Sequence, residues 1–169
     1  MTILKIAGLI VIFVACVGVG VNISRKYSDR VKELKAMVSA LNVFEEKIKF
    51  TYAPIPEIFA EIGEGFEGSI GKIFALASEN MKTMFAGEAW EKAVDSVDTN
   101  FTSDDLNVIK GLAKMLGKTD LDGQVSEIRL TKEFLNTKIN EAEIEKNKNS
   151  KLYKTLGVTV GLGAVIVLI

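Results

Sequence analysis

The chain has 169 residues, enough for one domain, with 21 Lys and Arg against 22 Asp and Glu, a formal net charge of −1, and no histidine. Without a basic excess there is no electrostatic support for nucleic-acid binding. A single cysteine, Cys16, excludes a disulfide framework within the chain, and the lack of histidine excludes Ser-His and Cys-His nucleophile pairs and any histidine metal site.

The charges are unevenly placed. Lys5 is the only charged residue among the first 24, and positions 155–169 carry none. A hydrophilic middle therefore stands between two apolar ends. Only Pro54 and Pro56 are proline, and few runs alternate apolar and polar residues, so helix is favoured over strand. The expected class is all-α: a cytoplasmic helical bundle (25–151) flanked by transmembrane helices at 1–24 and 152–169.

The first apolar run, Ile6 to Ile23, has no charge and would be about 27 Å long as a helix, just enough to span a bilayer core. A secretory signal is the competing reading, because Phe13-Val14-Ala15-Cys16 loosely resembles a lipoprotein cleavage box. Phe13 is not small, apolar sequence continues past Cys16, and the positive charge after Ile23 resists export. Arg25, Lys26, Arg30, Lys32 and Lys35 follow the first span, and Lys146, Lys148, Lys151 and Lys154 precede the second. Positive residues stay inside, so the middle is expected in the cytoplasm and both termini outside.

The first cytoplasmic helix is expected over Ser28–Tyr52, continuing the membrane helix, with Val31, Leu34, Val38, Leu41, Phe44 (or Glu45) and Ile48 as its apolar stripe. Pro54 and Pro56 stop it, and Pro56 suits the first position of a short helix with Ile58, Phe59 and Ile62. Gly63 to Gly68 reads as a loop, after which Ser69 can cap a helix carrying Ile70, Ile73, Phe74, Ala77 and Met81. Gly87 breaks the chain. Glu88–Val97 then forms a short helix with Trp90, Ala93, Val94 and Val97 inward, Trp90 as a core anchor. Thr102-Ser-Asp-Asp105 has the spacing of a capping box and opens a helix with Leu106, Ile109, Leu112, Ala113 and Leu116, ended by Gly117.

Asp120 can cap the last helix, whose stripe is Val125, Ile128, Leu135, Ile139 and Ala142. From Glu143 to Lys151 the sequence is nearly all polar and leads into Leu152–Ile169, the second span, with Tyr153 at the interface and Lys154 snorkelling. The first and last helices are expected to run to the membrane as paired stalks. Cys16 and Gly20 are four residues apart, as are Gly157 and Gly161, a spacing that lets helix backbones approach closely, though glycine is also simply frequent in membrane helices.

No catalytic, cofactor or metal residues are expected. The glycines at 63, 65 and 68 lack the spacing and the preceding strand of a nucleotide fingerprint. Asp120-Leu-Asp-Gly123 resembles the start of a calcium loop, but Thr131 stands where the twelfth-position Glu should be.

In this order along the chain, the sequence resembles the stage III sporulation protein AB family of endospore-forming bacteria. Leu34, Leu41 and Ile48 resemble its leucine-spaced first helix. Phe50-Thr-Tyr-Ala-Pro-Ile-Pro-Glu57 resembles its two-proline turn. Ala89-Trp90 resembles its Ala-Trp pair, and Leu116-Gly-Lys-Thr-Asp-Leu-Asp-Gly-Gln124 its Leu-Gly-x-Ser/Thr-Asp-x-x-x-Gln segment. Two departures are mild: Lys47 stands where the family usually has an acid, and Ala53 where it has Thr.

The resemblance implies a membrane assembly component of the channel-like machinery between mother cell and forespore. It implies a soluble domain similar to the inner-membrane platform protein of type II secretion systems (GspF-like). The implied partners are a cytoplasmic secretion-type ATPase and other membrane proteins of the complex, the implied location the mother-cell membrane around the forespore. The candidate contact surfaces are Asp120, Gln124, Glu127 and Arg129, and the loop Ala53, Pro54, Ile55, Pro56 and Glu57; cap and turn roles explain both sets equally well. A small membrane pore or transport subunit is the alternative, weakened by spans without charged residues to line a path.

Overall fold

In the computed structural model the backbone is described for residues 2–51, 53–117 and 121–168, and the side chains at these positions other than 2–7, 9, 154, 164, 167 and 168. Among the described residues there are six α-helices: α1 (Thr2–Phe50), α2 (Ile55–Gly65), α3 (Gly68–Asn80), α4 (Ala86–Ser96), α5 (Ser103–Gly111) and α6 (Leu121–Leu168). A 3₁₀ turn at Leu112–Lys114 follows α5, and no strand occurs among the described residues. The all-α class therefore holds. The contacts divide the chain into two units: Lys32–Asn140, and Met1–Val31 with Glu141–Ile169.

In Lys32–Asn140, α2 packs on α3, α3 on α4, and α4 on α5 and the 3₁₀ turn. The core is aromatic. Phe59 of α2 meets Phe44 of α1 and Phe74 of α3 edge-to-face, both at 4.9 Å between ring centres, and Trp90 of α4 at 5.5 Å. Phe74 and Trp90 lie 5.1 Å apart. Each such pair adds about 0.5–1.5 kcal/mol beyond area burial. Trp90 is fully buried, and its indole N–H donates to the Ile109 carbonyl at 2.8 Å, so its one polar atom is satisfied inside the core. The expected core anchor is found in place.

The expected helices are present with shifted details. The buried arc of α1 contains Leu34, Leu41, Phe44 and Ile48 as expected, but also Met37 and Ala40, whereas Val38 is half-buried. The arc is thus turned away from Val38, and the unbroken three-four stripe was too narrow. Helix α1 ends at Phe50, and Tyr52 lies outside the described residues. Pro56 is the second residue of α2, behind Ile55, with Pro54 as the N-cap. There Pro54 leaves its carbonyl to accept from Glu57 and Ile58 N–H groups.

Ser69 does not cap α3. Glu67 holds the N-cap position, and the Ser69 hydroxyl donates to Glu33 at 3.0 Å instead. Gly87 does not break the chain. It lies in the first turn of α4, buried, where an added Cβ would stand 2.4 Å from the Ala113 carbonyl oxygen. The missing side chain lets the 3₁₀ turn close onto α4, so this glycine serves packing rather than helix termination.

The Thr102 capping box is present. Asp105 N–H donates to Thr102 Oγ1 at 3.3 Å, and Thr102 N–H donates to Asp105 Oδ2 at 2.9 Å. The α-helix it opens is shorter than expected, because it passes into the 3₁₀ turn before Gly117, which has φ +71°. In α6, Val125, Ile128, Leu135, Ile139 and Ala142 are all buried, as the spacing predicted.

Candidate membrane stalk and docking surfaces

Among the described residues, α1 from Ile10 onward is the one helix long and apolar enough to cross a membrane, by length and composition. In the unit Met1–Val31 with Glu141–Ile169, this end of α1 lies against the last part of α6. The approach is made by glycine. A Cβ on Gly20 would stand 2.5 Å from the Tyr153 carbonyl oxygen and 3.2 Å from Gly157 Cα. One on Gly157 would stand 3.0 Å from the Cys16 carbonyl oxygen. One on Gly161 would meet the Phe13 ring at 2.9 Å and Cys16 Cβ at 3.4 Å. At Gly20 and Gly157 the approach is backbone to backbone, which larger residues would prevent, whereas at Gly161 it is to the Phe13 and Cys16 side chains. The four-residue spacing at 16/20 and 157/161 is therefore a packing face; Gly163 faces open space.

Polar contacts succeed the glycines along the pair. The Ser24 and Ser150 hydroxyls share a hydrogen bond of 2.6 Å. Tyr27 and Tyr153 stack with ring centres 6.0 Å apart. Arg30, itself buried, donates to Glu145. Ile144, beside Glu145 on α6, is 69% exposed. Lys5 and Lys154 have side chains outside the described residues.

The candidate contact residues fall into separate settings. In the proline turn, Ala53 N–H donates to Thr51 Oγ1 at 3.4 Å, and Pro54 and Glu57 are exposed. Ile55 and Pro56 are half-buried, and the Pro56 carbonyl accepts from Ser78 at 2.8 Å, which ties the turn to α3. Asp120 lies outside the described residues. Gln124 borders a tight gap beside Phe44, Leu112, Leu116 and Ile128, so it faces the core rather than solvent. Glu127 is half-buried. Arg129 is exposed on α6, and its Nε donates to Glu45 at 2.8 Å.

Glu45 is the acid that the spacing left undecided beside Phe44. Phe44 takes the core position; Glu45 sits at its edge, only 8% exposed, and accepts from Lys49, Arg129 and Lys132. Burial alone would push its carboxyl up, but the hydrogen bonds from Lys132, Lys49 and Arg129 prevail and hold it down at about 2. A second acid, Glu33, gathers three donors: Ser69 Oγ, Asn100 N–H at 2.7 Å and Asn100 Nδ2 at 3.2 Å. By sequence, Glu45 is only an alternative stripe position and Glu33 is not marked at all. A usable signal existed for Glu45, an acid at the margin of an apolar stripe with a lysine four residues on; none existed for Glu33, whose partners are 36 and 67 residues away. No group of three or more Cys, Asp or Glu side chains able to hold a metal ion occurs among the described residues.

The family profile of stage III sporulation protein AB matches residues 5–169. The chain belongs to the stage III sporulation protein AB family. It is 26% identical over 169 residues to stage III sporulation protein AB of Bacillus subtilis (strain 168), covering 98% of this chain and 99% of that protein. A solved structure of stage III sporulation protein AB (SpoIIIAB) superposes with a TM-score of 0.65 at 20% identity, covering 71% of this chain and 98% of that one. The fold is thus shared. Within this sporulation family member the resemblance segments serve structure first. Ala89 and Trp90 are both buried, the two-proline turn caps α2, and Lys47, at the departing position, pairs with Glu61 of α2.

Proposed function

We propose that this sporulation family member is a non-enzymatic membrane platform of the channel complex between mother cell and forespore. Its domain would face the mother-cell cytoplasm and dock a secretion-type ATPase, with both termini on the far side of the membrane. One observation carries the reading: α1 and α6 each supply part of the domain core and then an apolar segment, and these segments close on each other through Gly20, Gly157 and Gly161. A domain held at both ends by such a pair is suited to fixing a partner at a membrane. The polar exposed residues of α6 and the proline turn offer contact surface, while turnover would come from the partner. The pore reading gains no support from a helix contact built of glycine, cysteine and phenylalanine.

The test is co-purification of the full chain, in detergent, with a secretion-type ATPase of its host. Glu127→Lys should weaken recovery at least severalfold while thermal unfolding stays near wild type. Undiminished recovery would remove α6 as the docking face, and no recovery with the wild-type chain would remove the ATPase as partner.

A further inference from the structure

Glu45 leaves the cations around it under-neutralised. Its carboxylate is shared by Lys49 of α1 and by Arg129 and Lys132 of α6, and Lys132 has only the Asn42 side-chain oxygen besides. None of the three cations meets a second acid among the described residues. Arg129 is the outermost, its side chain 60% exposed against 18% for Lys132. Only its Nε is used, so Glu45 holds the guanidinium by one edge and the rest of the fork has no acceptor. An arginine anchored in this way has already lost rotamer freedom that binding would cost, and its planar fork pairs with a carboxylate through two bonds.

Two further acids set the pattern. Each residue turns about 100° around a helix axis, so Glu46 lies about 60° beyond Lys49, turning away from Glu45 on α1. By the same count Glu133 lies about 40° beyond Arg129, turning away from Lys132 on α6. Both acids are exposed, and neither is in an ion pair among the described residues. Across this face the order is therefore acid, cations around one shared carboxylate, acid.

A phosphate, a lipid headgroup or a nucleic-acid backbone brings negative charge alone and meets Glu46 and Glu133 as repulsion. A protein segment with one carboxylate between two cations matches the whole order. We propose that this face of α1 and α6 docks a partner protein through such a segment, its carboxylate on the Arg129 fork and its cations against Glu46 and Glu133. Glu127 lies about 160° away around α6, so this surface stands apart from the one tested by Glu127→Lys and does not rest on the ATPase reading.

The test is nuclear magnetic resonance of the full chain in detergent, following the backbone amides of residues 42–49 and 126–133. The ligands are the capped peptide Lys-Ala-Glu-Ala-Lys, its charge-reversed counterpart Glu-Ala-Lys-Ala-Glu, and inorganic phosphate, all at equal ionic strength. The first peptide should shift these amides to saturation and bind about fivefold tighter than the other two, the equivalent of about 1 kcal/mol. Arg129→Gln should lose that advantage while the unfolding temperature stays near wild type, because Glu45 keeps Lys49 and Lys132. Arg129→Lys, which keeps the charge but not the fork, should restore only part of it. Glu46→Gln combined with Glu133→Gln should let phosphate bind as well as the first peptide. No binding of the first peptide, or equal binding of the reversed peptide or phosphate by the wild type, would overturn the proposal. So would Arg129→Gln binding the first peptide like wild type with a lowered unfolding temperature, since Arg129 would then only brace Glu45.

Discussion

The two units use the same two long helices but hold them by opposite means. In Lys32–Asn140 the contacts are made by large side chains: Phe44, Phe59, Phe74 and Trp90 fill the interior, and Glu33 and Glu45 gather hydrogen bonds at its edge. In the apolar part of the stalk the closest approach is made where side chains are missing, at Gly20, Gly157 and Gly161, and side-chain contacts such as Ser24–Ser150 and Tyr27–Tyr153 follow only beyond it. The charges differ as sharply. The domain has thirteen Lys and Arg against eighteen Asp and Glu, whereas the stalk has eight against four. The difference follows from the solvent each unit is suited to. In water, burial of apolar area drives association, and large aromatic groups bury most. In lipid that drive is absent, and close backbone approach through dispersion takes its place.

The comparison breaks most visibly at the aromatic core. Trp90→Ala should cost about 3–5 kcal/mol, read as a lower unfolding temperature of the domain by near-ultraviolet circular dichroism. The stalk should stay in the membrane fraction. Loss of both together would mean that the two units do not stand independently.

The reciprocal change is Gly20→Leu. Its side chain would strike backbone at Tyr153 and Gly157, forcing the helices apart at a cost of about 1–3 kcal/mol. Oxidative crosslinking reads the result: Cys16 should form an intramolecular disulfide with a Gly161→Cys variant, whose Cβ atoms would stand 3.4 Å apart, close to the usual range. Adding Gly20→Leu should abolish that crosslink. A crosslink formed only between chains would contradict the pairing.

Glu45→Gln sharpens the electrostatic side. It leaves Lys49, Arg129 and Lys132 without their shared carboxylate and should cost about 2 kcal/mol, below a fully buried pair because Arg129 is 60% exposed. The Glu45 carboxyl is lowered from 4.5 to about 2, so its contribution is complete above the ordinary value and is lost as pH falls from 4.5 through 2. Wild-type unfolding temperature should drop across that window by more than that of the variant; parallel curves would assign the acid sensitivity elsewhere. The smallest change is Thr102→Ala, about 1 kcal/mol through loss of the α5 cap, measured by denaturant midpoint.

Much of the fold was legible because local rules carried it. Thr102 and Asp105 are three residues apart, and the α6 stripe from Val125 to Ala142 has one helical period, so both were readable in place. What escaped depended on distant partners. Ser69 looks like a cap until Glu33, 36 residues earlier, takes its hydroxyl. Gly87 looks like a breaker until the Ala113 carbonyl closes onto it. Met37 and Ala40 joined the core because the buried arc of α1 is wider than one three-four stripe. At the candidate surface, Gln124 turned toward the core and Arg129 toward Glu45, pairings that no spacing rule encodes.

The most direct measurement of the central claim is deletion of the gene in its host, scoring heat-resistant spores and vegetative growth side by side. The account predicts that spores are lost while growth stays normal, and that the wild-type gene restores them while Gly20→Leu restores them poorly. Normal sporulation in the deletion strain would contradict it.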